Sequence, residues 1–205
     1  MLVLRIGATG IEVLMGRRGC KAVFSNAYVF PGGKVDRTDR LPRPSRELDR
    51  DLSRRLSRDS NMARTLAMAA VRETFEETGL VLGEPGDLGE TGDESWEAMR
   101  ALGLAPNLAR LAYLGRAITP ASRAIRFHAR FFWAWSSDMT GKLGGSGELA
   151  NLAFVPVREA LDLPLVDVTQ FMLEEVLRRV GVGFALPDRY PFFGYRKDQR
   201  HVRYG

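Results

Sequence analysis

Residues 72–80 read Arg72-Glu73-Thr74-Phe75-Glu76-Glu77-Thr78-Gly79-Leu80, which sets three carboxylates within five positions of one expected helix. Side chains at i, i+3 and i+4 share a helix face, so Glu73, Glu76 and Glu77 project together. No Lys or Arg alternates among them to relieve their repulsion. A divalent cation would do so, and carboxylate oxygens suit hard ions such as Mg²⁺ or Mn²⁺, which take oxygen ligands and bridge to substrate phosphates. The alternative is an acidic solvent face on which Arg72 pairs with Glu76 one turn away, since acidic helix faces are common.

The elements that must position these residues can be read around them. Residues 2–6 and 11–17 read as strands about a turn at Ala8-Thr9-Gly10, and 27–30 as a strand stopped by Pro31-Gly32-Gly33. The acidic helix spans 62–78, with Met62, Leu66, Ala69, Ala70 and Phe75 as its apolar stripe and Gly79 as its stop. A loop at 83–93 and a short helix at 94–102 follow, then strands at 111–118 and 125–135. Residues 139–147 form a flexible glycine-rich loop. A strand at 152–155, a short helix at 157–161 and a helix at 169–180 capped by Thr169 complete the order. Strands interspersed with helices indicate a mixed sheet between helical layers.

With Phe30-Pro31-Gly32-Gly33-Lys34-Val35-Asp36 upstream, the acidic segment resembles the box of the Nudix hydrolases, G-x5-E-x7-R-E-U-x-E-E-x-G-U with U apolar. Arg72, Glu73, Glu76, Glu77, Gly79 and Leu80 match its second half, and Thr74 departs at an apolar slot. The resemblance implies an α/β/α sandwich as one domain over 1–205. Counted from Gly33 the arginine should fall at 47, so the chain carries about 25 extra residues, placed at 37–61, with a polar helix at 45–57. Counted back from Arg72, the first glutamate of the pattern falls on Arg64 and is missing. Long inserts here are similar to a branch containing peroxisomal coenzyme A diphosphatases. Ile118-Thr119-Pro120, Arg126-Phe127 and Arg130-Phe131-Phe132 also look like that branch.

The family hydrolyses a pyrophosphate linkage in nucleoside diphosphate derivatives by attack of water on phosphorus. The resemblance implies Glu76 and Glu77 as chief metal ligands, Glu73 as a third ligand or as the group that takes a proton from water, and the Gly33 carbonyl as a further ligand. Arg72 would orient Glu73 or Glu76 through charge-assisted hydrogen bonds. Glu148, after Gly144-Gly145-Ser146-Gly147, is a second candidate for the base, carried on a loop able to swing. Asp36 is a weaker one, equally a turn former, and His128 reads as an ordinary strand histidine. Arg17 and Arg126 are candidate phosphate contacts, against the reading of surface arginines. Phe24 and Tyr28 could stack on a base or pack in the core.

Composition narrows the rest. A chain of 205 residues that is 45% hydrophobic suits one globular domain. The sequence has no apolar run of membrane-spanning length and no signal-peptide pattern at Met1–Arg5. The single cysteine, Cys20, forms no internal disulfide and reads as inert. A cytoplasmic protein with a small-molecule diphosphate substrate is expected. The net charge of +5 gathers in 37–64 and in the tail, RYPFFGYRKDQRHVRYG at 189–205. Interleaved cations and aromatics can bind single-stranded nucleic acid, but no RNA-binding fold adjoins them. Packing on its own domain or a homodimer contact is the preferred reading. A Nudix-like sensor that binds nucleotides without hydrolysis, or an RNA-processing member, is the alternative function.

Overall fold

Alternation in the first strand decides the architecture. In β1 (Leu2–Gly7), Leu2 and Leu4 bury into one core and Val3 into the other, so the strand is covered on both faces. The computed structural model describes residues 1–19, 26–120, 122, 126–185, 187–197 and 199–205. Cys20, Phe24 and the expected strand start at Ile125 lie outside them.

In chain order there follow β2 (Gly10–Arg18), β3 (Tyr28–Val29), α1 (Arg50–Leu56), the long α2 (Ser60–Thr78), β4 (Leu80–Val81) and β5 (Gly83–Pro85). Next come α3 (Glu94–Ala101), β6 (Leu104–Pro106), β7 (Ala112–Ile118), β8 (His128–Trp135) and β9 (Thr140–Gly141). The chain ends with β10 (Leu149–Pro156), α4 (Val157–Ala160), α5 (Asp167–Gly181), β11 (Pro191–Arg196) and β12 (Gln199–Tyr204). The central sheet runs β10-β2-β1-β8-β7-β11-β12, with β3 paired to β2. It is mixed: β1/β8 and β7/β11 are parallel and its other pairs antiparallel. One face carries α1, α2 and α3 through Val3, Leu14, Leu52, Met68, Val71 and Trp96. The other carries α5 through Leu2, Met15, Trp133, Met172 and Val176. This is the expected α/β/α sandwich. No helix among the described residues is long and apolar enough to cross a membrane.

Three expectations change. The buried face of α2 adds Ala63, Ala67, Met68, Val71, Thr74 and Thr78 to the expected Ala69, with the expected Leu66, Ala70 and Phe75 packed against the same core, whereas Met62 is exposed. α5 begins at Asp167 with Val166 as N-cap, since the Val166 carbonyl already accepts from Thr169 and Gln170. Thr169 is buried inside the first turn. The basic tail forms β11 and β12, with Phe193 in the α5-side core and Tyr190 stacked 5.0 Å from Tyr113. Phe193 and Tyr190 thus pack on their own domain, one of the two readings given above.

The extra segment is also structural. Leu48, Leu52 and Leu56 bury into the α2-side core, and α1 is capped by Asp49, which accepts from the Asp51 and Leu52 amides. Leu52→Ala is therefore expected to cost about 2–5 kcal/mol in urea unfolding. A loss under ~0.5 kcal/mol would mark the segment as surface decoration.

Candidate active site

The C-terminal half of α2 is held between two turns. On one side β3 runs into Pro31-Gly32-Gly33. The Gly32 amide donates to Glu77 Oε2 at 2.7 Å. The Glu73 carboxylate lies where a Cβ on residue 33 would sit, so any larger residue there would displace it from the turn. On the other side, the loop after β9 closes the helix end. The Gly144 amide donates to the Thr78 carbonyl at 2.9 Å and the Ser146 amide to the Glu76 carbonyl at 2.7 Å. These bonds satisfy carbonyls that a helix terminus leaves unpaired. Gly79 ends α2 at φ 73° in the left-handed conformation. The expected flexible loop is therefore pinned to the helix.

Arg72 organises the acidic residues. Its guanidinium is buried and grips Asp39 through two nitrogens at 2.7 and 3.2 Å. It also donates to Glu76 at 3.0 Å and to the Lys34 carbonyl at 2.9 Å, and lies 3.0 Å from Glu73. Burial works against its charge, but the bonds to Asp39 and Glu76 more than offset this and hold its pKa above the ordinary value. Glu77 is buried, and burial pushes its pKa up to about 7, opposed by the Gly32 amide and reinforced by the charge of Glu148. Burial also raises Glu73, with Arg72 opposing and Glu76 adding to the shift. Thr74, the departure from the apolar slot, is fully buried and satisfied by donating to the Ala70 carbonyl at 2.7 Å.

The structure thus brings together Gly33, Arg72, Glu73, Glu76 and Glu77, with exposed Glu148 near enough to act on Glu77. Arg17 is exposed at the end of β2, paired in register with Tyr28 and Ala150. By alternation it lies on the face of Met15, the α5 side, away from α2. Tyr28 packs against that same core. Arg126 is exposed just before β8, and His128 is exposed at its start. Asp36 caps the turn at 36–40 by accepting from the Thr38 amide and hydroxyl.

A Nudix hydrolase from Alicyclobacillus acidocaldarius matches with a TM-score of 0.65 and 29% identity, over 84% of this chain and 86% of its own. The chain has the fold of the Nudix hydrolases and is similar to this one in sequence. The same fold is shared by the MutT protein of Bacillus halodurans, with a TM-score of 0.52 and 15% identity over 98% and 94% of the two chains. It is shared too by the Nudix domain of Shewanella oneidensis NrtR complexed with ADP ribose, at 0.50 and 12% over 87% and 84%. No family sequence model matches the chain, and comparison with curated proteins gave no match.

The Nudix pattern also corrects the reading of the missing glutamate. Counted forward from Gly33, its first acidic position is residue 39, and Asp39 stands there. Arg64, on which the backward count falls, lies 3.4 Å from Glu47 and donates to the Pro42 carbonyl, not to any of the clustered carboxylates. The acid is therefore present as aspartate, and the extra residues follow it. The signal was available in the sequence, from the glycine end of the pattern.

The donors suit a hard cation: four carboxylates with mutual repulsion, two of them buried enough to have raised pKa values. Among the described residues no three acidic or imidazole side chains already converge as a ligand set, and Glu76 is turned towards Arg72. Asp39→Ala leaves the Arg72 guanidinium buried without its main partner. Its expected cost is roughly 3–5 kcal/mol in denaturant unfolding, with Asp39→Glu much milder. Equal stability of Asp39→Ala and the parent would remove Asp39 from this role.

Proposed function

We propose that this Nudix hydrolase cleaves the pyrophosphate bond of a nucleoside diphosphate derivative with Mg²⁺ or Mn²⁺ as cofactor, and that coenzyme A or an acyl-CoA is its substrate. The observation that carries the hydrolytic reading is the set Glu73, Glu76, Glu77 and Glu148 around the end of α2, braced by Arg72. A module that only binds nucleotides has no physical need to keep buried acids in mutual repulsion. The choice of coenzyme A rests on the long segment after Asp39 and on the Arg126-Phe127 and Arg130-Phe131-Phe132 runs, which are similar to that branch of the family.

Glu76, Glu77 and the Gly33 carbonyl would hold the cation, which supplies charge neutralisation at the diphosphate. Glu73 and Glu148 are the two groups able to accept a proton from the attacking water. Glu73 is fixed on the rigid helix face against Gly33, whereas Glu148 sits on the loop pinned to the Glu76 and Thr78 carbonyls. Arg72 keeps Glu73 and Glu76 from turning to solvent. The proton taken from water is then available to the leaving phosphate, and rigid placement of base and ligands lowers the cost of orientation.

A phosphate-release screen over coenzyme A, acyl-CoA and nucleotide diphosphates tests the substrate. On the best substrate, loss of the base should lower kcat by roughly 10²–10⁴-fold. Glu73→Gln is expected to show this loss at saturating Mg²⁺ and Glu148→Gln a smaller one. Glu76→Gln and Glu77→Gln should instead weaken Mn²⁺ binding in calorimetry and recover in part with added metal. Near-normal turnover in both Glu73→Gln and Glu148→Gln would remove this mechanism, and nucleotide binding without turnover would favour a sensor.

A further inference from the structure

Strand register assembles a second group of charges outside the carboxylate cluster. Arg116 on β7 lies opposite Arg130 on β8, Phe192 on β11 lies beside Arg116, and Arg203 on β12 lies opposite Phe192. The four form one transverse row across four strands, about 14 Å wide at ordinary strand spacing. The row is on the α2 face, because Phe132, two residues from Arg130, buries into the α2-side core. It also lies at the active-site end of the sheet. From the opposite face, Phe131 packs edge-on to Phe30 at 6.5 Å, so this end of β8 is level with the segment that leads into Gly32 and Gly33.

Arg116 and Arg130 are like charges directly opposite each other, an arrangement that destabilises a sheet. Among the described residues no carboxylate pairs with Arg116, Arg130 or Arg203, and the Nε of Arg130 is buried without a hydrogen-bond partner. The Arg116 and Arg203 guanidiniums lie 4.5 and 5.4 Å from the Phe192 ring centroid, reaching it from the two neighbouring strands. Stacking on the ring holds both side chains extended without neutralising them. Burial and the facing Arg116 also press the Arg130 pKa down, against the pull of Tyr113. The other basic feature, the β11–β12 turn, differs, since Arg200 is already paired with Asp167 at 2.9 Å.

We propose that Arg116 and Arg130, flanked by Phe192 and Arg203, bind a phosphate monoester carried by the substrate in addition to its diphosphate. A dianion facing two guanidinium forks would relieve their repulsion and add an acceptor for Arg130, whose guanidinium otherwise donates only to the His128 carbonyl at 3.3 Å, and guanidinium matches phosphate oxygens in bidentate geometry. Single-stranded nucleic acid fits less well. It needs aromatic faces open to bases, and here the Phe192 ring is covered by cations. The inference rests on the proposed hydrolysis for its substrate, but the anion site can be tested apart from it.

Binding of adenosine 3′,5′-bisphosphate, AMP and a single-stranded oligonucleotide would be measured by calorimetry on the parent protein and on Arg116→Gln/Arg130→Gln. The bisphosphate should bind the parent more tightly than AMP by about tenfold or more, and the double variant should lose that preference. Hydrolysis of coenzyme A against 3′-dephospho-coenzyme A, and of NADPH against NADH, should show the same collapse in the ratio of KM values. Removing a repelling pair should leave the urea midpoint level or raised. A preference untouched by the variant, a lowered midpoint, or arginine-dependent oligonucleotide binding tighter than that of the bisphosphate would overturn the proposal. If no compound is hydrolysed by the parent, the proposed function fails while the bisphosphate arm still decides this site.

Discussion

A single buried guanidinium ties the active-site end of the molecule together. Arg72 takes Asp39 from the turn after the glycines, the Lys34 carbonyl from the loop, and Glu73 and Glu76 from its own helix. Without it, Asp39, Glu73 and Glu76 would lose their shared cation, beside a Glu77 whose pKa burial already raises. With it, the loop and the helix become one unit whose remaining charge can be met by a cation. The same interaction explains how the chain tolerates a long segment between two parts of one site. Asp39 and Arg72 are 33 positions apart in sequence yet in direct contact.

Rigidity on the other side of the helix comes from backbone bonds. The loop carrying Glu148 gives its amides to the Glu76 and Thr78 carbonyls, so the loop acid approaches Glu77 by construction. Glycines at 79 and 145 permit it. Each has a positive φ, and a Cβ at 145 would collide with the backbone of Glu77. Helix face, glycine turn and pinned loop together place four carboxylates around one helix end, the feature on which the hydrolytic account depends.

Much of this was legible in the sequence, for identifiable reasons. The spacing of Glu73, Glu76 and Glu77 fixed a shared face because helical periodicity is geometric, and Gly79 marked the helix end because only a left-handed residue fits there. The strands of the first half showed through their alternation. What was missed depended on distant partners. Asp39 was not singled out, because its partner Arg72 lies beyond the extra segment. β11 and β12 read as a charged tail because their exposed positions carry Arg and His, and only pairing with β7 makes them strands. The pinned loop is rich in glycine, which in sequence signals freedom, although here it serves close approach. Arg116 and Arg130 are 14 positions apart in sequence, and register alone sets them face to face.

The measurement that bears most directly on the central claim is product analysis of a diphosphate substrate turned over in oxygen-18 water, with and without Mg²⁺ or Mn²⁺. The account predicts two phosphate-bearing products, one carrying a single solvent oxygen, formed only when the divalent ion is present. Equal cleavage after chelation, or no cleavage of any nucleoside diphosphate derivative with either ion, would contradict it.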